Sequence, residues 1–295
     1  MVAPSGIARA QETFLEDKCN LAPPARCRYR RGPARLMLRI VYANLGYSRE
    51  IDGSLGHHLS RLHHHVYTPR AAQMRSLQFV RDTMRRLQPD LSCFVEIDQG
   101  SITNGYFDQF PVLCEDDHAF ATIDNKYSGT TKFRRSPISR GKSNAFMATQ
   151  KVEFTKRYLD HGKKRLVYDI DIAGLRVLVV HCSLMKSVRA NQFAQIATWI
   201  EERDVPTVLI GDFNMFSGER ELAPLMKSEK LFHANRLSGP TFRFGPYRAT
   251  LDTCLISQGL ERCCSIEIID QPFSDHQMFK IDIDLEDTVK LAANG

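Results

Sequence analysis

Long apolar runs are missing from this 295-residue chain. Its most apolar stretches, such as Leu175 with Val177 to Val180, are strand-length and fall far short of a membrane span. Metal- or redox-type cysteine pairs are missing too. The cysteines (Cys19, Cys27, Cys93, Cys114, Cys182, Cys254, Cys263 and Cys264) include no C-x-x-C, which removes zinc-ribbon and thioredoxin-like readings. Cys93, Cys182 and Cys254 fall in predicted strands and read as reduced, buried thiols. No apolar segment follows a basic start at the N-terminus, where Glu12, Glu16 and Asp17 intervene, so a cytoplasmic protein without a leader is expected. Solenoid-length repeats are absent, and no linker divides residues 36–286. Acidic residues are the minority, 34 against 40 Lys and Arg. The net charge of +6 favours phosphates, nucleic acid or acidic lipid headgroups as partners without choosing among them.

What is present begins with a contrast. Residues 1 to about 34 carry Pro4, Pro23, Pro24, Pro33 and a knot of arginines (Arg26, Arg28, Arg30, Arg31 and, at its edge, Arg35), and read as a poorly ordered basic tail. Met37 opens the first strand, so this tail is compatible with an upstream start codon. Residues 35–286 read as one domain, and 287–295 as a C-terminal tail. Strands are expected at Leu36–Asn44, Leu91–Ile97, Asn144–Thr149, Val152–Phe154, Arg165–Ile172, Leu175–His181, Val205–Ile210, Ala249–Ile256, Ser265–Ile269 and Met278–Ile283. Met74, Leu77, Val80, Met84 and Leu87 at helical spacing predict a helix over Arg70–Leu87, ended by Pro89; a second is expected over Arg189–Arg203. Interleaved helices and a majority of strands predict a β-rich α/β sandwich, two sheets with helices outside.

The stretch Thr207-Val208-Leu209-Ile210-Gly211-Asp212-Phe213-Asn214 carries the strongest chemical signal. An apolar strand stops on a glycine that permits close backbone approach, then on a carboxylate and a carboxamide two residues apart, hence on one side. Other strands end or begin similarly: Asn44, Glu96, His181, Asp252 and Ser274-Asp275-His276. One such residue is usually a solvated strand end or a satisfied core histidine. Several at neighbouring strand ends converge on one rim. Hard oxygen donors from Asn44, Glu96 and Asp275 suit Mg2+ or Mn2+, whereas no Cys/His set has zinc spacing.

In this order the residues resemble the endonuclease/exonuclease/phosphatase superfamily, over about residues 36–285. The resemblance implies the pancreatic deoxyribonuclease fold, a four-layer αββα sandwich of two mostly antiparallel sheets packed face to face with helices outside. It implies a metal-dependent hydrolase of phosphate esters using an activated water, a phosphodiesterase or nuclease first. A phosphatase or phosphodiesterase of a phospholipid headgroup or small phosphate ester is the alternative, and an inert binding or scaffold protein is the alternative of another class. Glu96, with Asn44 and Asp275, is implied to hold the metal. Asp212 and Asn214 are implied to orient water and phosphate, His276 to act at the phosphate with Asp252 holding its ring, and His181 to bind phosphate. Val95 before Glu96, and His181 itself, depart from the abasic-site branch.

Two further segments bear on substrate. Lys126 to Lys142 holds Lys126, Lys132, Arg134, Arg135, Arg140 and Lys142 with no acidic residue, and reads either as a phosphate-attracting segment or as a solvated loop. Asn144, Arg140 and Lys142 are its candidate substrate contacts. The histidines between His57 and His65 read as a surface helix or loop beside the site, or as a metal cluster. Phe242-Arg243-Phe244 reads as a core strand, with base stacking as the other reading.

Overall fold

The computed structural model describes residues 36–114, 118–127 and 135–286. The proposed tails at 1–34 and 287–295, with Lys132 and Arg134, lie outside the described residues. One sheet contains β1 (Met37–Asn44), β2 (Leu91–Asp98), β3 (Phe120–Asn125), β4 (Lys142–Ala148), β13 (Cys264–Ile269) and β14 (Met278–Asp284), in the order β13-β14-β1-β2-β4-β3. The other contains β5 (Glu153–Tyr158), β6 (Leu166–Ile172), β7 (Leu175–His181), β8 (Thr207–Asp212), β9 (Leu231–His233) and β12 (Asp252–Ser257), in the order β5-β6-β7-β8-β12-β9. Only β1–β2 and β7–β8 pair in parallel. Each parallel step is bridged by a crossover helix, as parallel neighbours require.

Alternation along the strands makes the layers. Leu38, Ile40 and Tyr42 of β1 and Cys93 and Val95 of β2 face Tyr168 and Ile170 of β6, Val177 and Val179 of β7, and Val208 and Ile210 of β8. The intervening residues are also buried, because helices cover the outer faces. The helix α2 (Arg70–Leu87, after the short α1, Leu55–Ser60) lays Leu77, Val80 and Met84 on Val41, Ala43 and Phe94. After α3 (Phe110–Leu113), α4 (Lys186–Glu201) lays Phe193, Ile196 and Ile200 on Leu178, Val180 and Leu209. Two mixed six-stranded sheets between helices are the α/β sandwich expected. Burying each such Leu, Ile, Val or Phe side chain contributes roughly 1.5–3 kcal/mol, so this stacking rather than helix propensity holds the layers.

Two expectations late in the chain are corrected. Ala249–Ile256 divides into β11 (Tyr247–Ala249) and β12, and Phe242-Arg243-Phe244 is β10, paired only with β11 outside both sheets. Phe244 is 49% exposed, so this segment is no core strand. Among the described residues no helix is long and apolar enough to cross a membrane, and Cys93, Cys182, Cys254 and Cys264 are free thiols.

Candidate active site

Strand parity delivers the polar residues. On β1, β7, β8 and β12, residues two apart from the inter-sheet apolar set are Asn44, His181, Asp212 and Asp252. The apolar inner face therefore turns polar at one end of the sandwich, where β1, β2, β7 and β8 finish and β4, β12 and β14 begin. Register tightens the set: β7 pairs His181 with Asp212, and β12 pairs Asp252 with Asp212. Glu96 obeys a different device. Plain alternation would turn it outward with Phe94, but the β2–β4 ladder shifts between Phe94 and Ile97, and Glu96 takes φ +56°. This bulge re-aims its carboxylate between the sheets, at the cost of a strained backbone. Gly211 lies where a Cβ would sit 2.0 Å from the Val180 carbonyl oxygen, so only glycine lets β8 approach β7 there.

The side chains form a connected network. Asp212 Oδ2 accepts from Asn44 Nδ2 at 3.1 Å and lies 3.3 Å from His181 Nε2; its Oδ1 accepts from the Asn214 amide at 3.0 Å. Asn214, at φ +54°, donates its carboxamide to the Cys182 carbonyl at 3.1 Å. His276 Nδ1 is 2.6 Å from Asp252 Oδ2, whose other oxygen accepts from the Tyr42 hydroxyl at 3.1 Å. Glu96 Oε1 faces Lys126 Nζ at 3.3 Å, His181 Nε2 at 3.7 Å and Lys164 Nζ at 4.0 Å. Lys164 Nζ also hydrogen-bonds His181 Nε2. Nε2 thus meets both Lys164 and the two carboxylates, while Nδ1 is buried without a partner.

Electrostatics separates the two histidines. Burial and then the Lys164 and Lys126 charges push His181 down to about 4, and Asp212 does not offset them. Burial also opposes charge on His276, but the Asp252 carboxylate outweighs it and lifts the ring to about 10. Thus His181 is neutral and His276 an imidazolium near neutral pH. Burial would raise Asp212, yet the His181 contact and the His276 charge bring it down to about 2. Glu96 is held well below the usual range despite burial, by Lys126 and Lys164. Asp275 moves upward, through burial and the Glu96 charge.

Oxygen donors for a hard cation are therefore at hand. The Asn44 main-chain carbonyl is taken by Gln271 Nε2 at 2.6 Å and Ser274 Oγ at 3.0 Å, which leaves its side-chain oxygen, in contact only with the Gly46 amide at 3.0 Å. Asp275 Oδ1 lies beside the same glycine, 3.9 Å from where a Cβ would be. With Glu96 these are all-oxygen donors, the kind Mg2+ or Mn2+ takes. Asp212, Asp252 and His276 also lie within 4.8 Å of one another and could hold a metal ion by distance. Their 2.6 Å His276–Asp252 contact is a hydrogen bond, tighter than ligands about 2.0–2.1 Å from one octahedral ion are spaced.

The remaining candidates divide. Asn144 is buried, its Oδ1 without a partner, on the inner face of β4 two residues from Lys142. Lys142 lies over the Tyr47 ring, whereas Arg140 is exposed and stacks on Tyr106. The histidines of α1 and the following turn have separate partners: His57 meets Asp52 at 3.0 Å, His64 the Arg49 carbonyl at 2.6 Å, and His58 stacks with His65 and lies tilted against Phe244. That is a surface element, and its Phe244 contact joins it to β10, whose Phe242 ring lies 5.0 Å from His276. Sequence reasoning missed Tyr42, Tyr47, Arg49 and Lys164. Parity was the available signal for Lys164, two residues before Leu166 on the inner face of β6.

Comparison with known proteins bears on the fold and the family. No curated protein sequence gives a match. Among solved structures, an endonuclease/exonuclease/phosphatase from Beutenbergia cavernae is similar at a TM-score of 0.60 and 17% identity, covering 84% of this chain and 71% of that one. Truncated TDP2 of Caenorhabditis elegans gives 0.58 and 13%, covering 84% and 98%. The human Nocturnin catalytic domain with bound sulfate gives 0.54 and 16%, covering 84% and 94%. These likenesses establish the fold. The Endonuclease/Exonuclease/phosphatase family model matches residues 51–276, and the chain belongs to that family, whose membership implies metal-dependent hydrolysis of phosphate esters.

Proposed function

We propose that this chain is a Mg2+- or Mn2+-dependent phosphodiesterase in which Asn44, Glu96 and Asp275 hold the ion, with nucleic acid as the first substrate class. The observation that carries it is the juxtaposition of Asp212, Asp252 and His276, all within 4.8 Å of one another at one strand-end rim. A bound divalent ion supplies Lewis acidity toward the phosphate oxygens. The protein's own groups do the rest. Asp212, fixed by Asn44 and the Asn214 amide, holds a water by accepting its hydrogen, and Asn214 has a second carboxamide hydrogen to offer a phosphate oxygen. His276 donates from Nε2 to a non-bridging oxygen and places positive charge where negative charge develops. Its high proton affinity makes it a charge stabiliser rather than a base. Neutral His181 and the Lys164 ammonium line the same wall.

A second reading, hydrolysis of a phospholipid headgroup or small ester, is favoured by the half-exposed Phe244 and Leu55 that flank the site on the α1 and β10 side. The test is turnover of labelled DNA, RNA, phospholipid and a generic bis-ester by purified protein in Mg2+. Asp212→Ala and His276→Ala are each expected to lower turnover by at least about two orders of magnitude. Undiminished turnover in both would remove the assignment, and phospholipid cleavage without nucleic-acid cleavage would favour the second reading.

A further inference from the structure

Tyr47 gathers three cations around one ring. Arg49 Cζ is 4.9 Å from the centroid, Lys126 Nζ 4.9 Å and Lys142 Nζ 4.2 Å. Tyr47 is 6% exposed and Lys126 3%, so the charges line a recess rather than a solvated face. Two cations of this neighbourhood already have work: Lys126 bonds the Tyr47 hydroxyl and Glu96, and Lys164 bonds His181. Among the described residues, the Lys142 ammonium and the Arg49 guanidinium lie against the ring and make no hydrogen bond or salt bridge. Glu96 and Asp98 act on Lys142 through space, and Glu96 and Asp275 on Arg49, but none of these carboxylates bonds either side chain directly. Like charges held together in partly buried surroundings repel one another, and an anion relieves that repulsion while taking their hydrogen bonds.

We propose that Arg49, Lys126 and Lys142, set around Tyr47, form a subsite for a second, terminal phosphate group of the substrate, beside the phosphate handled by Asp212 and His276. It rests on the phosphoesterase reading for which ester is cut. The implied substrate is a nucleotide or nucleic-acid end bearing another phosphate. A terminal phosphate fits better than an internal one, because a recess walled by buried Tyr47 and Lys126 accepts a chain end more readily than a backbone continuing on both sides.

Calorimetry on the full chain in Mg2+ tests this, in an Asp212→Ala background so that ligands are not consumed. The probes are a nucleoside bisphosphate, the corresponding monophosphate, and an oligonucleotide without terminal phosphates. The bisphosphate is expected to bind about tenfold or more tightly than the monophosphate. Lys142→Met and Arg49→Met, made separately so that a folding failure of one leaves the other, should each remove most of that preference. Lys151→Met, an exposed lysine between β4 and β5 at the opposite end of the sandwich, should keep it. Equal binding of the two nucleotides, a preference surviving both variants, or its loss in Lys151→Met would overturn the subsite. An oligonucleotide binding as tightly as the bisphosphate would overturn the terminal assignment. Tight bisphosphate binding by a protein that cleaves no ester would support the subsite while removing the hydrolase reading; turnover without the preference would do the reverse.

Discussion

At the residue scale, the two histidines carry opposite expectations. His276 has a proton affinity raised to about 10 by Asp252, and its partner's charge is what raises it. Asp252→Asn should return the ring toward its ordinary value near 6.5, seen by NMR titration. Turnover relative to wild type should then fall more at pH 8 than at pH 6, because the imidazolium is lost between them. An unchanged titration would contradict the pairing. His181 works the other way. Its folded value of about 4 lies below its unfolded one. Its contribution to stability is therefore present above about pH 6.5 and is lost as pH falls through about 4. In His181→Gln the urea midpoint should depend less steeply on pH between those limits, and an unaltered slope would oppose the assignment.

At the element scale, the β7–β8 pair is the scaffold of the rim. Gly211→Ala would set a methyl against the Val180 carbonyl, and overpacking of this kind costs roughly 1–3 kcal/mol, read as a lowered urea midpoint. At the opposite end of β7, Arg176 is fully buried, fork-bonded to Asp169 at 2.8 and 2.6 Å and to the Trp199 carbonyl at 2.6 Å. Arg176→Met leaves Asp169 only the longer contacts to Arg157 at 3.6 Å and Arg203 at 3.8 Å, so the loss should stay at or below the roughly 3–5 kcal/mol of a fully broken buried pair. Stability should fall in unfolding measurements while KM of the surviving folded protein holds.

The same elements mark what the sequence made legible. The Arg70–Leu87 helix coincides with its apolar spacing because one face alone is buried and Gln88 adopts the left-handed cap before Pro89. The second helix begins at Lys186 rather than Arg189, since its first turn is exposed at Lys186 and Ser187 and holds Arg189 buried against Glu221, a partner that spacing cannot announce. β3 escaped notice because every residue in it is only partly buried. Asn44, His181, Asp212 and Asp252 were legible through alternation, and Glu96 only through its neighbours' chemistry, because its bulge breaks the alternation. Arg49 was not, being a loop charge until the fold sets it against Tyr47, and Lys164 was signalled only by its parity with Leu166.

At the scale of the whole molecule, the two sheets converge apolar inner faces along their length and polar residues at one end. That arrangement sets the carboxylates, histidines and lysines of separate strands within a few ångströms on a framework whose stability comes from elsewhere. The family's hydrolytic chemistry needs that separation, because groups selected for charge at the rim are poor contributors to packing. The central claim is that this rim hydrolyses phosphate esters with a divalent ion held at Glu96. Hydrolysis of bis(p-nitrophenyl) phosphate by chelator-dialysed protein, followed before and after addition of Mg2+ for the wild type and Glu96→Gln, tests it most directly. Activity should be absent after dialysis, return with Mg2+ in the wild type, and stay at least about a hundredfold lower in Glu96→Gln. Full activity without a divalent ion, or equal recovery in Glu96→Gln, would contradict it.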